Sequence, residues 1–368
     1  MRILYFTRDY TPHDYRFLSS LAQTNHQIFS LRLERKGIQK EDRPLPPEVT
    51  QVNWQGGRRP VQLSAGFSLF WDLKRVIKII KPDLIHAGPI QSSAFLAALS
   101  GFHPIVSMSW GSDLLADADR NPMWNWATRF TLRRTFILLG DCQAVKDKAQ
   151  SLGFNADKVV LFPWGVELKQ FTPGPPSDLV NRLGWQNKFI LLSLRSWEPV
   201  YGVDVVVKAF AKASAENEDL RLLLLGGGSL APLVQGLINR NQLADKIHLG
   251  GQVRQADLPS YYRSANLYIS ASHSDGSSVS LMEALACGIP VLVSDIPGNL
   301  EWITRGQEGW FFQEGQVESL KEGILNACDR KEQMGAMSRA ARDLAVRRAD
   351  WEANFKLLLE AYQKALQS

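Results

Sequence analysis

Short apolar runs alternate with longer amphipathic ones along the whole of this 368-residue chain, and that alternation is its strongest constraint. The pattern is that of repeated βα units, whose parallel strands are covered by helices on both faces. The first series predicts strands at Arg2–Phe6, Gln27–Leu31, Leu84–His86, Ile105–Ser109, Phe136–Leu139 and Val159–Phe162. Helices are expected around Tyr15–Gln23, Phe70–Ile80, Ser92–Leu99, Trp124–Thr135 and Ala144–Leu152. F-T-P-G-P-P-S-D (171–178) then places three prolines and a glycine in eight residues and reads as a linker. A second series predicts strands at Phe189–Leu194, Leu220–Leu225, Ile247–Leu249, Leu267–Ser270, Pro290–Ser294 and Gly309–Phe312, with a helix at Asp204–Glu216. An amphipathic helix over Asp350–Leu366 closes the chain.

The length exceeds what one core usually serves, so two domains are expected. The architecture implied is α/β: two doubly wound, Rossmann-like domains, 1–170 and 179–349, facing one cleft. The last helix, about 350–368, is expected to pack back on the first domain. Open sheets of this kind bind ligands outside the C-terminal ends of their strands.

Charge narrows the partners. A net charge of +5 suits anions: phosphorylated metabolites, nucleic acid or the inner membrane surface. No Lys/Arg block, zinc-ligand array or RNA-binding aromatic signature is present, which disfavours nucleic acid. Cys142, Cys287 and Cys328 are scattered, so no disulfide framework is expected and a reducing cytoplasm fits. M-R-I-L-Y-F-T-R-D-Y is too short in apolar residues for a secretory signal and reads as the first strand. No apolar run reaches the ~18 residues of a spanning helix. Ala65–Ile80 sets Lys74, Arg75 and Lys78 beside Phe67, Phe70 and Trp71, as in a surface helix on a sheet or one lying on a membrane. Among eleven tryptophans, Trp54, Trp110, Trp164 and Trp197 fall in irregular stretches, where a ring either fills the core or stacks on a sugar or base.

Two segments carry candidate chemistry. L-L-L-L-G-G-G-S-L-A-P-L (222–233) is a strand, a glycine turn and a helix; it reads as an anion-binding turn or as a simple tight connection. It lacks the last glycine of the dinucleotide fingerprint, so NAD is not indicated. S-D-G-S-S-V-S-L-M-E-A-L-A-C-G-I-P (274–290) sets Asp275 and Glu283 eight apart. Ser280 and Glu283 match a capping box for a helix over Leu281–Ala286, ended by Gly288 and Pro290. Asp275-Gly276 is a turn dipeptide. The same residues also suit a phosphate held on the amides of Ser277, Ser278 and Val279, with both acids taking sugar hydroxyls.

With its continuation V-L-V-S-D-I-P-G, that segment resembles the signature of the glycosyltransferase family 4 enzymes, which have the GT-B fold. P-W-G-V-E-L-K-Q-F (163–171), R-S-W-E-P-V-Y-G-V-D-V-V-V-K-A-F (195–210), L-G-G-Q-V (249–253) and L-P-S-Y-Y-R-S-A-N-L-Y-I-S (258–270) follow the family's order. The resemblance spans about residues 158–312 and is thin before residue 80.

It implies retaining transfer of a sugar from a nucleotide-diphosphate sugar to a glycan, lipid-linked or small-molecule acceptor, in surface polysaccharide or glycoconjugate synthesis, with no cofactor and no essential metal. It further implies that Glu283 holds the donor ribose, that Asp275 contacts the donor sugar and that Arg195 neutralises the leaving diphosphate. Gly276, Ser277, Ser278 and Val279 would line the phosphate site, and Gly251, Gln252 and Val253 would present backbone to the base. The family's Lys before the glycine of K-G-x-D is Tyr201 here, and its H-G-x-D motif is W-G-S-D, with Trp110 and Asp113. Its glycine pair after the first strand is replaced by R-D-Y-T-P-H-D-Y-R-F, where His13 and Asp14 are acceptor or donor contacts or parts of an exposed loop. A nucleotide-sugar epimerase of the same fold and a non-catalytic nucleotide-sugar-binding protein are the competing readings.

Overall fold

The structure is a computed structural model that describes residues 1–34, 41–57 and 66–367. Ala65 and Ser368, which the sequence reading includes in helices, lie outside the described residues. The chain divides into two compact units, 1–162 with 355–368, and 163–354.

The first unit is built on a parallel sheet of β1 (Arg2–Arg8), β2 (Gln27–Leu33), β3 (Val49–Gln51), β4 (Leu84–Ala87), β5 (Ile105–Met108), β6 (Ile137–Gly140) and β7 (Val159–Leu161), ordered β3-β2-β1-β4-β5-β6-β7. Its helices are α1 (Pro12–Ala22), α2 (Gly66–Ile80), α3 (Phe95–Leu99), α4 (Ser112–Leu115), α5 (Pro122–Arg134) and α6 (Gln143–Ser151). Strand β1 shows why the sheet is buried on both faces. Leu4 and Phe6 join the cluster of Trp54, Leu69, Leu73 and Val76. Tyr5 turns the other way, against Phe17 and His86. A strand covered twice reads as a continuous apolar run, which R-I-L-Y-F-T-R nearly is.

The second unit repeats the plan with β8 (Phe189–Ser193), β9 (Leu220–Leu225), β10 (Ile247–Gly251), β11 (Leu267–Ser270), β12 (Val291–Ser294) and β13 (Gly309–Phe312), ordered β10-β9-β8-β11-β12-β13. Helices α7 (Leu179–Arg182), α8 (Val203–Glu216), α9 (Ala231–Arg240), α10 (Leu258–Arg263), α11 (Val279–Ala286), α12 (Pro297–Leu300), α13 (Val317–Asp329) and α14 (Met334–Arg348) complete it. The core joins Leu191, Leu222 and Ile269 of the sheet to Val206 and Phe210 of α8 and Ile324 of α13, all buried. Each such side chain contributes roughly 1.5–3 kcal/mol on burial.

The last helix, α15 (Trp351–Leu366), starts in the second unit and ends in the first, where Tyr362 hydroxyl lies 2.5 Å from His86 Nδ1. The two ends of the second unit meet: Asn354 Nδ2 donates to Pro163 carbonyl at 2.8 Å, and Val166 bridges Asp350 in parallel.

Several expectations are revised. The proline-rich segment 171–178 belongs to the second unit, because two arginines hold the chain there: Arg263 donates to Thr172 carbonyl and Arg342 to Phe171 carbonyl. Strand β3 was not anticipated; it is a three-residue edge strand with only Val49 buried, so it leaves little trace in the sequence. His13 and Asp14, open to reading as acceptor or donor contacts or as exposed loop, lie in the first turn of helix α1, since Thr11 and Asp14 form a capping box under Pro12. Trp54, Trp164 and Trp197 are core residues; Trp54 Nε1 donates to Arg32 carbonyl and Trp197 Nε1 to Leu225 carbonyl. All three cysteines are buried free thiols. No helix among the described residues is long and apolar enough to cross a membrane.

Candidate functional site

In the second sheet the winding reverses between β8 and β11, which are neighbours. A crevice at such a reversal is where doubly wound sheets bind ligands. Arg195 leaves the C-terminal end of β8 and Asp275 follows that of β11, so chain segments 80 residues apart converge there. Arg195 Nη2 lies 2.7 Å from Asp275 Oδ2, and both side chains are mostly buried. Arg195 Nη1 donates to Ser278 Oγ at 2.8 Å and to Ser280 Oγ at 3.2 Å. Beneath it, the Tyr201 ring centre lies 4.1 Å from the guanidinium carbon, a cation–π contact.

Burial, the largest single influence, would lower the Arg195 pKa, but Asp275 together with Tyr201, Tyr268 and Tyr262 outweighs it, so the guanidinium stays charged. Burial also raises the Asp275 pKa, and Arg195 and the Gly276 amide offset this only in part.

Why the chain brings Tyr201 here is local. Gly202 takes a left-handed φ of 59° before α8, and a Cβ there would lie 2.2 Å from Ala271 carbonyl oxygen. Only glycine lets the turn come so close to the strand end that leads to Asp275.

Helix α11 starts at Val279 after Ser278, whose side chain makes no capping bond. The expected Ser280–Glu283 capping box is therefore absent. Its helix begins two residues earlier, which moves Glu283 into the second turn, beyond reach of a cap. Ser280 hydroxyl instead lies 2.7 Å from Tyr268 hydroxyl. Glu283 is buried, and its carboxylate accepts from Gln255 Nε2 and from Tyr262 hydroxyl, each at 2.8 Å. Burial and then Glu283 hold the Tyr262 phenol well above its usual pKa, so it stays a donor. Gly276 and Ser277 are braced from behind: Trp302 Nε1 donates to Ser277 Oγ at 2.8 Å, and a Cβ on Gly298 would stand 2.4 Å from Gly276 carbonyl oxygen. The result is an arginine, an acid and the amide end of an eight-residue helix, where first-turn N–H groups have no intrahelical partner. That arrangement suits a phosphate.

The other predicted residues fall into two groups. Gly251 ends β10 and Gln252 and Val253 follow it; Gly251 has φ 63° with open space where a Cβ would stand. An open pocket of about 480 Å³ lies beside them, lined by Gln252, Val253, Arg254, Tyr261, Asp178 and Arg182 among others. The glycine turn 226–228 is a tight connection packed on the Arg195 loop: Trp197 amide donates to Gly227 carbonyl, and Ser229 amide and hydroxyl both donate to Glu198.

In the first unit, Asp113 accepts from Ser109 hydroxyl and from the amides of Trp110, Leu114 and Ile90. Asp14 accepts from Tyr5 hydroxyl and from Thr11. Both carboxylates are buried, with pKa values raised by burial, and both tie backbone in place. His13 and Trp110 are partly exposed beside them.

Sequence reasoning did not single out Tyr262, Tyr268, Gln255, Trp302 or Gly298. Two signals pointed to three of them: L-P-S-Y-Y-R-S-A-N-L-Y-I-S contains both tyrosines, and D-I-P-G contains Gly298. Among the described residues, no cluster of three His, Cys, Asp or Glu side chains has the makings of a metal site.

Two family descriptions match this chain: glycosyl transferases group 1 over residues 178–344, and glycosyl transferase 4-like over residues 2–141. D-inositol 3-phosphate glycosyltransferase of Thermobispora bispora is 27% identical over 221 residues, 57% of this chain and 51% of that protein. Alpha-monoglucosyldiacylglycerol synthase of Acholeplasma laidlawii is 24% identical over 203 residues, 54% of this chain and 50% of that protein. The chain thus spans about half the length of the curated relatives it matches. The crystal structure of Anabaena HepE with UDP-glucose superposes with a TM-score of 0.81 at 17% identity, over 99% of this chain and 100% of that one. At that identity the likeness is one of fold.

Proposed function

We propose, because the chain belongs to the family-4-like glycosyltransferases of the GT-B type, that it moves a sugar from a nucleoside-diphosphate donor to a hydroxyl acceptor with retention. The observation that carries this reading is Arg195 and Asp275 facing each other beside the N-terminus of α11, with Glu283 one turn further on. Arg195 and the first amides of α11 take the diphosphate, and their charge stabilises the leaving group as the bond from sugar C1 to the β-phosphate oxygen breaks. Glu283, oriented by Gln255 and Tyr262, takes the ribose hydroxyls. Asp275 takes a donor-sugar hydroxyl, and the turn Gly251–Val253 meets the base. The acceptor oxygen bonds to C1 on the face the phosphate leaves, and its proton passes to the departing phosphate oxygen. The reaction so written uses no metal ion.

UDP is the first donor nucleotide to test, since HepE of the same fold binds UDP-glucose. Relatives named for D-inositol 3-phosphate and for a glucosyldiacylglycerol support a small or lipid-linked hydroxyl acceptor; the reading extends this to glycoconjugate synthesis at the inner membrane face.

Thermal unfolding against UDP-, GDP- and ADP-sugars tests the reading. A donor at a hundred times its Kd stabilises the fold by about 2.7 kcal/mol. Glu283→Gln keeps the side-chain volume and should weaken that donor roughly tenfold or more, as a charged hydrogen bond is lost. If no nucleotide sugar raises the Tm, or Glu283→Gln binds as the parent does, the site is misassigned. A donor that is consumed without acceptor would instead indicate an epimerase.

A further inference from the structure

Helix α2 is apolar on two faces. Leu69, Leu73, Val76 and Ile80 are buried in the core of the first unit. On the outer side Phe67, Trp71 and Ile79 are 77%, 56% and 66% exposed. A soluble helix normally presents a polar outer face, so large apolar groups there need a second explanation. Phe67, Trp71, Lys74 and Lys78 follow one another at spacings of three and four and form a single stripe. Lys74 Nζ lies 5.8 Å from the Trp71 ring centre, so cation and ring share that stripe.

Helix α5 has the same composition. Met123 and Trp126 are 68% and 53% exposed, and Arg129, Arg133 and Arg134 follow them on the exposed side. Trp126 stacks on Phe130 with ring centres 5.6 Å apart, which stiffens the outward ring. Between the two helices lies α3, which contacts both and carries no charged residue. Helices α2 and α5 hold six cationic side chains and one acid, Asp72, which is buried and paired with Arg75. Their excess of five positive charges equals the net charge of the whole chain.

From this we infer that the α2–α3–α5 face of the first unit docks on an anionic lipid bilayer. Exposed Trp, Phe and Met suit the boundary between headgroups and acyl chains, and the lysines and arginines reach the anionic headgroups. Charge chooses the occupant. A protein partner would need an acidic surface fitted to aromatic knobs, whereas an anionic bilayer offers both properties at every point. The inference deepens the proposed function by naming the surface that meets an acceptor held in a membrane.

Sedimentation of the full chain with vesicles tests it. Vesicles of phosphatidylcholine mixed with phosphatidylglycerol should bind the chain at least tenfold more tightly than phosphatidylcholine alone, and added salt should weaken that binding. Lys74→Glu with Lys78→Glu should reduce the affinity about tenfold or more. Phe67→Ser with Trp71→Ser should reduce it comparably while leaving less salt-insensitive binding. These side chains are exposed, so each variant should keep the parent Tm and its stabilisation by UDP-sugar. Equal binding to both vesicle types overturns the inference. So does unchanged binding by both variants, or a preference for RNA, or a change from dimer to monomer in the variants. Loss of UDP-sugar stabilisation in the parent, with vesicle binding intact, would instead remove the transferase reading and leave the surface standing.

Discussion

Arg195 is held from three sides before any ligand arrives, by Asp275, by the Ser278 and Ser280 hydroxyls, and by the Tyr201 ring. The ion pair matters because one buried partner without the other is an uncompensated charge, which costs roughly 3–5 kcal/mol. Arg195→Ala should therefore lower both stability and turnover, turnover by an order of magnitude or more. Adding Asp275→Asn should return most of the stability and none of the turnover, a cycle read by urea unfolding and by sugar transfer. Recovered turnover in the double variant would remove Arg195 from leaving-group stabilisation. Neither residue's partner was legible in the sequence. The motif gave Arg195 and Asp275 separately, and only the winding of the second sheet puts them 2.7 Å apart. Asp14 and Asp113 pose a related ambiguity. An acid near a turn looks alike whether it waits for a sugar or binds backbone, and the distinction lies in how many N–H and O–H groups converge on it.

Loop 274–278 and helix α11 keep their shape through contact with α12. Gly298 sits so close that a Cβ would stand 2.4 Å from Gly276 oxygen and 2.7 Å from Asp275 oxygen. Both contacts are backbone, which cannot turn aside as a side chain would. Gly298→Ala should thus cost about 1–3 kcal/mol and push the loop off its position, weakening donor binding as well. Gly66→Ala, whose new methyl group meets open space, is the control and should change neither urea midpoint nor donor affinity. If Gly298→Ala unfolds and binds as the parent does, α12 does not brace the site. Periodicity served well for elements such as α8 and β9, whose buried faces are long. It failed at β3, which is held by backbone pairing with β2, and at the start of α11, where S-x-x-E fits a cap two residues too late. Composition of a motif fixes where a helix is wanted, while the competition for each hydroxyl decides where it starts. Ser280 is claimed by Tyr268 and Arg195.

Across the whole molecule the same βα plan appears twice, and both halves were readable because parallel strands buried on two faces leave long apolar runs. The point of passage between them was not. Prolines at 173, 175 and 176 suggested a free linker, yet Arg263 and Arg342 bind that segment into the second unit. The second unit is entered at residue 163 and left at 354, and those ends touch through the Asn354–Pro163 hydrogen bond and the Val166–Asp350 bridge. A compact unit whose entrance and exit coincide is a cassette with a single seam. Residues 163–354 expressed alone should fold and keep UDP-sugar stabilisation within about 1 kcal/mol of the full chain, by the same thermal measurement. An unfolded or unresponsive fragment would show that the seam is not a true boundary. If the fragment folds, this half is transplantable: two neighbouring cuts, at its entrance and its exit, lift it out, and another of its kind can take its place without rethreading the rest of the polypeptide.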